Sequence, residues 1–312
     1  MDISQLQTII QIAETGSISK ASERLNVVQP ALSRKLGNLE QELGAALFER
    51  HGRGMLPTDI GRAAVQHALA IMAELDCIRQ LANTQNGPLQ GEVIVGITPT
   101  IAEIVTVPLA QRAKLVHPNL SIRFASAFSG YLLDWLQRGE LDVALSYETL
   151  EAPSVQTRPV MVEDLLLIGP AAKFAPNGPA VQFADLAHER LILPGVRHGL
   201  RKILDECAAQ AGINLSPAIE VDSLSAMVAL IRADFGYTIL PLPPVHELVE
   251  SGLLSFARII DPKPKRTVVI AFSSLRAVSP AARFVADSFL EIARELVAKE
   301  TWAGELLPDR KP

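Results

Sequence analysis

Gln29, Ser33, Arg34, Lys35 and Asn38 are residue types that recognise nucleic acid, and all five fall within one short stretch. Gln and Asn pair with adenine edges and Arg with the O6 and N7 of guanine, while Lys and Ser contact phosphates. Opposite them, Leu32, Leu36, Leu39 and Leu43 repeat at spacings of four, three and four, the buried stripe of an amphipathic helix that opens at Pro30. Such a helix turns its leucines to a core and offers its polar face to a groove. Taken singly, each polar residue is also what any solvated helix carries, so the inference rests on the group.

The flanking segments supply what that helix needs to be held. Leu6, Ile9, Ile10 and Ala13 form an apolar face that ends at Gly16, and Ser17 can cap a second helix with Ile18, Ala21, Ser22 and Leu25 inward and Asn26 as its stop. After the third helix, LFERHGRGMLPT carries two glycines flanked by Arg50 and Arg53 and reads as a short β-hairpin, or wing. Residues 17 to 58 hold Lys20, Arg24, Arg34, Lys35, Arg50 and Arg53 against Glu23, Glu40, Glu42 and Glu49, a slight basic surplus. The whole chain carries a formal net charge of −5, so DNA binding must use a local face and not a global field.

From Asp59 to about Asn86 the pattern is one long helix, with Ala64, Ala68, Ile71, Leu75, Ile78 and Ala82 spaced as the seam of a two-stranded coiled coil. A second copy of the chain is expected to cover that seam, and Gly87-Pro88 reads as a linker. Beyond residue 90 strand-like runs (GEVIVGI, LSIRFAS, LDVALSY, DLLLIGP, RLILP, AIEV, GYTILP, RTVVIAF) alternate with helical stretches, which predicts α/β units. The last helix spans about 280 to 299.

Other chemistries leave no trace. There is no GxGxxG, GxxxxGK[ST], GxSxG or HExxH, and His188-Glu189 lacks a second histidine, so neither a catalytic constellation nor a cofactor or metal site is expected. Cys77 and Cys207 are far apart and read as small buried hydrophobes in a reducing cytoplasm. The N-terminus lacks the pattern of a signal peptide and no apolar run is long enough to span a bilayer, so a cytoplasmic protein without membrane contact is expected. A solute-binding or enzymatic α/β protein with an accessory DNA-binding domain is the alternative reading, and a nucleoid protein without sequence preference is a second rival. Neither accounts for both halves of the chain.

The stretch SISKASERLNVVQPALSRKLGNLEQELGAALFERHGRGMLPTDIGR closely resembles the N-terminal signature of LysR-type regulators: the ASERL helix, QPALSRKL, LExELG, LFER and the TxxG exit into a linker helix. Several linked motifs at matching spacing make the resemblance specific, and it extends over the rest of the chain. SGYLLDWLQRGELDVALSY and the later HGLR look like the nitrogen assimilation control branch, which would imply an absent or unusual effector.

The resemblance implies an all-α winged helix-turn-helix over 1–58, a linker and dimerisation helix over 59–88, and an effector-binding regulatory domain over 89–312. The last would hold two α/β subdomains like a type 2 periplasmic binding protein, one about 90–161 and 267–300 and the other about 162–266. Ile18, Ser19, Lys20, Gln29, Pro30, Ala31, Ser33, Arg34, Lys35 and Asn38 are the expected DNA contacts of the helices, with Arg50 and Arg53 on the wing. In open α/β sheets ligands sit at the carboxyl ends of strands, where helix N-termini offer free N–H groups. The expected effector residues are therefore Thr98, Pro99, Thr100, Ser129, Gly130, Tyr147, Arg197, His198, Asp222 and Ser223, with Gly195 beside them. Arg197 and His198 suit a carboxylate, though Thr98, Ser129 and Ser223 have helix capping as a simpler role. Expected partners are double-stranded promoter DNA, a small-molecule effector, RNA polymerase, and further copies of the chain in a dimer or tetramer.

Overall fold

Capping and close backbone approach shape the N-terminal unit as much as burial does. The structure is a computed structural model and describes residues 1–52, 54–84, 88–148, 154–175 and 178–308. Helix α1 (Ile3–Thr15) opens on a reciprocal capping box between Asp2 and Gln5 and closes at Gly16, whose φ of 62° is left-handed. Ser17 caps α2 (Ile18–Arg24), and α3 (Gln29–Leu43) follows Val28, whose side chain caps nothing. Leu6, Ile9, Ile12, Ala21, Leu32, Leu36, Leu39 and Leu47 fill the core between them.

The wing is the antiparallel hairpin of β1 (Phe48–His51) and β2 (Gly54–Pro57). Met55 N donates to the Gly16 carbonyl at 2.8 Å, and a Cβ on Gly54 would collide with that oxygen. Arg53, expected on this wing, lies outside the described residues. Each signature motif has a physical job here. Glu40 Oε1 accepts from Leu47 N at 2.7 Å and from Phe48 N at 3.3 Å, which ties α3 to the first wing strand. The Thr58 hydroxyl accepts from Gly61 N at 2.9 Å and donates to the Ala46 carbonyl at 2.9 Å, and a Cβ on Gly61 would collide with the Leu47 carbonyl.

Helix α4 (Asp59–Thr84) leaves the wing and corrects the expected seam. Ala68 is fully buried in the N-terminal core, and Ala64, Val65, Leu69 and Met72 pack against the same core. The first part of the stripe is therefore spent within the chain. Ile71 and Ile78 remain 41% and 62% exposed, so the second part of the stripe is left uncovered at these positions. The side chains of Cys77 and Ala82 lie outside the described residues.

The C-terminal half holds two main sheets. A six-stranded sheet has the order β14-β6-β13-β5-β3-β4, formed by β3 (Gln90–Ile97), β4 (Asn119–Ser126), β5 (Val143–Tyr147), β6 (Val155–Asp164), β13 (Lys265–Ser273) and β14 (Gly304–Leu306). β3 runs parallel to β4 and β5, whereas β13 is antiparallel to both β5 and β6. Helices α5 (Pro99–Val116), α6 (Ser129–Gln137) and α10 (Pro280–Ala298) accompany this sheet. The second sheet, of four strands, has the order β11-β7-β12-β8, from β7 (Leu166–Pro170), β8 (Val181–Gln182), β11 (Thr238–Leu240) and β12 (Leu254–Ile260). A parallel pair of β9 (Ile192–Leu193) and β10 (Ile219–Glu220), with α7 (Gly199–Ala211), α8 (Leu224–Arg232) and the short α9 (His246–Glu250), completes this lobe.

The chain passes between the lobes at the end of β6 and again at the start of β13. Periodicity did not point to β6, β8, β12 or β14. In β6 the register shifts opposite Val268 and Val269, where Pro159 sits; proline cannot donate to a ladder and is tolerated at such a bulge. The expected single run DLLLIGP is split, with Asp164 ending β6 and Leu166 opening β7.

The division of α4 yields an expected outcome. Joint replacement of Ile71 and Ile78 by Asp should shift the protein toward monomer in sedimentation velocity while its thermal midpoint falls little. Ala68→Asp should instead unfold the N-terminal unit, because it buries an unpaired charge.

Candidate DNA-binding face and effector cleft

The polar face of α3 is open. Gln29, Pro30, Arg34 and Asn38 are exposed while Leu32, Leu36 and Leu39 are buried beneath them, and Ala31 and Ser33 are half-buried between the two faces. Ser19, Lys20 and Arg50 are exposed as well. Arg24 is engaged with Glu14 at 3.1 Å. Two expected contacts turn away from this face. Ile18 is 8% exposed and belongs to the core, since it starts the inward stripe of α2, and the Lys35 ammonium donates to the Ser4 hydroxyl of α1. Helix geometry accounts for Lys35: it follows Arg34 by about 100°, which carries it from the open face to the flank against α1.

In the C-terminal half, helix N-termini and one buried ion pair gather at the ends of β3, β4 and β5. Thr98 occupies the N-cap position of α5 yet makes no side-chain cap bond, and its hydroxyl is buried without a well-formed hydrogen-bond partner. The Ser146 hydroxyl, on β5, is buried and unpartnered too. Phe128 stands at the N-cap of α6, where it too caps nothing, so the first N–H groups of α6, from Ser129 and Gly130 on, lack a side-chain acceptor. Pro99 has no N–H to offer.

Thr100 Oγ1 and the Tyr147 hydroxyl lie 2.6 Å apart, and Arg266 Nη2 donates to Thr100 Oγ1 at 3.2 Å. The Arg266 guanidinium covers the Tyr147 ring with its central carbon 3.4 Å from the ring centroid. Its Nε donates to Glu163, whose second oxygen accepts from Trp302 Nε1 at 2.7 Å. Burial pushes the Tyr147 phenol well above its ordinary value, with the Arg266 charge opposing.

From the other lobe, His198 reaches this cluster. Its ring meets Phe128 edge to face with centroids 4.5 Å apart, a contact across the cleft. His198 Nδ1 accepts from Leu200 N at 3.1 Å, so a neutral ring carries its proton on Nε2. Burial, reinforced by the Arg266 charge and opposed by Asp222, lowers its pKa to about 4. The ring is thus a neutral imidazole with its N–H donor on Nε2. Arg197 is exposed, Asp222 accepts from Gly195 N at 2.9 Å, and Ser223 caps α8 through Ala226 N at 3.4 Å. The last two have structural work, as the capping reading expected for Ser223.

Phe128, Ser146, Glu163, Arg266 and Trp302 escaped the sequence reading. A charged residue opening the apolar run RTVVIAF was the one visible signal, for Arg266.

This arrangement has known counterparts. Residues 3–62 match the profile of the bacterial regulatory helix-turn-helix protein, lysR family, and residues 86–294 match that of the LysR substrate binding domain. The chain belongs to the LysR family. It is thus a transcription regulator with a DNA-binding helix-turn-helix and an effector-binding domain. This LysR protein is 28% identical over 293 residues to the nitrogen assimilation regulatory protein nac of Klebsiella aerogenes, across 94% of this chain and 95% of that protein. It is 27% identical to the hydrogen peroxide-inducible genes activator of Pectobacterium carotovorum subsp. carotovorum, across 87% and 90%. Among solved structures, full-length OxyR of Pseudomonas aeruginosa superimposes with a TM-score of 0.78 at 25% identity, covering 100% of this chain and 99% of that one. Among the described residues, no helix is long and apolar enough to cross a membrane.

The depressed His198 pKa makes a pH prediction. In the unfolded chain this residue protonates as pH falls through about 6.5, while the folded protein holds it neutral until about pH 4, so unfolding takes up a proton between those limits. Stability present above pH 6.5 is lost progressively below it. His198→Asn should therefore flatten the decline of the thermal midpoint between pH 7 and pH 5, and a decline as steep as in the parent protein would count against the buried neutral ring.

Proposed function

We propose that this regulator reads double-stranded promoter DNA as a homo-oligomer in the cytoplasm, and that a small carboxylate bound between its two α/β lobes controls that reading. In this proposal residues 1–58 bind DNA, 59–88 link and dimerise, and 89–312 bind effector. RNA polymerase is the partner through which occupancy reaches transcription, and the cleft carries out no catalysis.

The observation that carries the effector class is the Thr98 hydroxyl, 3% exposed and without a well-formed bond at a helix N-terminus that no side chain caps. Beyond a contact with the Tyr147 hydroxyl, the Thr98 hydroxyl neither caps its helix nor meets a backbone group, and a ligand acceptor would use the bonding capacity left. Ser146 presents the same need, Arg266 supplies positive potential, and His198 supplies a neutral donor from the opposite lobe. On the DNA side, Gln29, Pro30, Ser33, Arg34 and Asn38 are the proposed groove residues, with Ser19, Lys20 and Arg50 flanking them.

Cys207 is not suited to a peroxide response of the kind named for the Pectobacterium relative, and the side chain of Cys77 lies outside the described residues. The Cys207 thiol is buried, and burial pushes its pKa up, the reverse of what a reactive thiolate needs.

Calorimetry with a panel of small mono- and dicarboxylates and their uncharged amides tests the effector class. Carboxylates should bind and amides should not, and Thr98→Val should weaken binding roughly tenfold or more, the worth of a hydrogen bond to a charged group. Binding of amides equal to that of acids would refute it. In gel shifts, Arg34→Ala should cost specific binding about 1 to 3 kcal/mol more than random-sequence binding. Equal losses on the two DNAs would make Arg34 a phosphate contact.

A further inference from the structure

The two helices of the DNA-binding face are joined at their tips by one side-chain contact. Ser19, in the first turn of α2, donates its hydroxyl proton to Gln29 Oε1, in the first turn of α3, at 3.1 Å. Both residues are exposed. The backbone on either side is held: the Ser19 carbonyl accepts from the Ser22 hydroxyl at 2.7 Å, Val27 N donates to the Ser22 carbonyl at 3.1 Å, and Asn26 takes a left-handed φ of 51°. Pro30 further restricts the backbone of the residue before it. Gln29 is therefore a side chain with one end already committed.

The committed end is the carbonyl. Recognition of adenine by glutamine uses both ends of the amide, with Oε1 accepting from N6 and Nε2 donating to N7. Here Oε1 is turned toward α2 and Nε2, with its two donors, is the free end. In the major groove guanine presents N7 and O6, and thymine presents O4, edges that offer acceptors and no donor.

We propose that Ser19 positions Gln29 for base selection, by holding its carbonyl back and presenting the two amide N–H donors, so that Gln29 reads guanine, whose N7 and O6 both accept, in place of adenine. This rests on the DNA-reading proposal above. It assigns Ser19 a role distinct from the phosphate contact its exposed hydroxyl would otherwise suggest.

Selection of full-length protein on a randomised 30-base-pair duplex library, followed by sequencing, tests it on the parent protein, Ser19→Ala, Ser19→Thr and Gln29→Ala. The parent should enrich a G·C pair at one position of each half-site, and Gln29→Ala should erase that preference. Ser19→Ala should reduce the preference over adenine at that position roughly three- to tenfold, the worth of a single net hydrogen bond, and Ser19→Thr should restore it. An A·T pair in either orientation at the Gln29-dependent position overturns the proposal. So does a Ser19→Ala protein with the parent's preference, or one that loses affinity equally for every sequence. Failure of the parent to enrich any dyad would instead defeat the DNA-reading proposal beneath it.

Discussion

The Glu163–Arg266 ion pair is the contact on which the regulatory half depends. Glu163 is 0% exposed and Arg266 7%, and they sit side by side on β6 and β13, the two strands that carry the chain between lobes. A buried pair of this kind contributes little net stability, but removal of one partner typically costs about 3 to 5 kcal/mol because the other charge is stranded. Both members are held from further sides: Trp302 donates to Glu163, and Arg266 bonds Thr100 and covers the Tyr147 ring. One interaction thus ties the two crossover strands together, docks the C-terminal arm, and sets a guanidinium beside Thr100 and Tyr147.

The two lobes face that cleft with unlike chemistry. The six-stranded lobe contributes the fixed charge pair, the unpartnered hydroxyl of Ser146 and the Thr98 hydroxyl beside Tyr147, whereas the four-stranded lobe contributes a neutral imidazole whose proton position is dictated by Leu200 N. Phe128 and His198 meet across the gap, so occupancy of the cleft must be negotiated with an aromatic contact. The same six-stranded lobe also touches the linker helix. Glu74 Oε1 accepts from Ala277 N at 2.9 Å, Arg276 bonds the Leu141 carbonyl, and Asp142 accepts from Ile94 N at 2.7 Å on β3. β3 ends at Thr98. A continuous line of packed groups therefore joins the helix that carries the DNA-binding unit to the strand that feeds the cleft.

The N-terminal unit was largely legible because its determinants are local. Helix periods, the Ser17 cap, Gly16 and the wing glycines each act within a few residues, and the signature motifs correspond to contacts such as Glu40 to Leu47 N and Thr58 to Gly61 N that span at most a dozen positions. Misreadings there were of facing. Ile18 and Lys35 lie within the right helices, but about 100° per residue carries them off the open face. Ala64 and Ala68 fit a coiled-coil period, yet the neighbouring core claimed them first.

In the α/β half the sequence by itself determined the class of the elements, since apolar runs, glycines and capping residues are read one segment at a time. It could not determine which of their residues converge. Thr98 and His198 stand at the N-caps of α5 and α7, Ser146 and Arg266 lie on β5 and β13, and their meeting depends on a sheet order in which β13 inserts between β5 and β6. Nor could it show that Asp222 and Ser223 are occupied with backbone N–H groups while Thr98 is not. Whether a polar group is satisfied is a property of its surroundings, and those surroundings exist only once residues more than a hundred positions apart have been packed together.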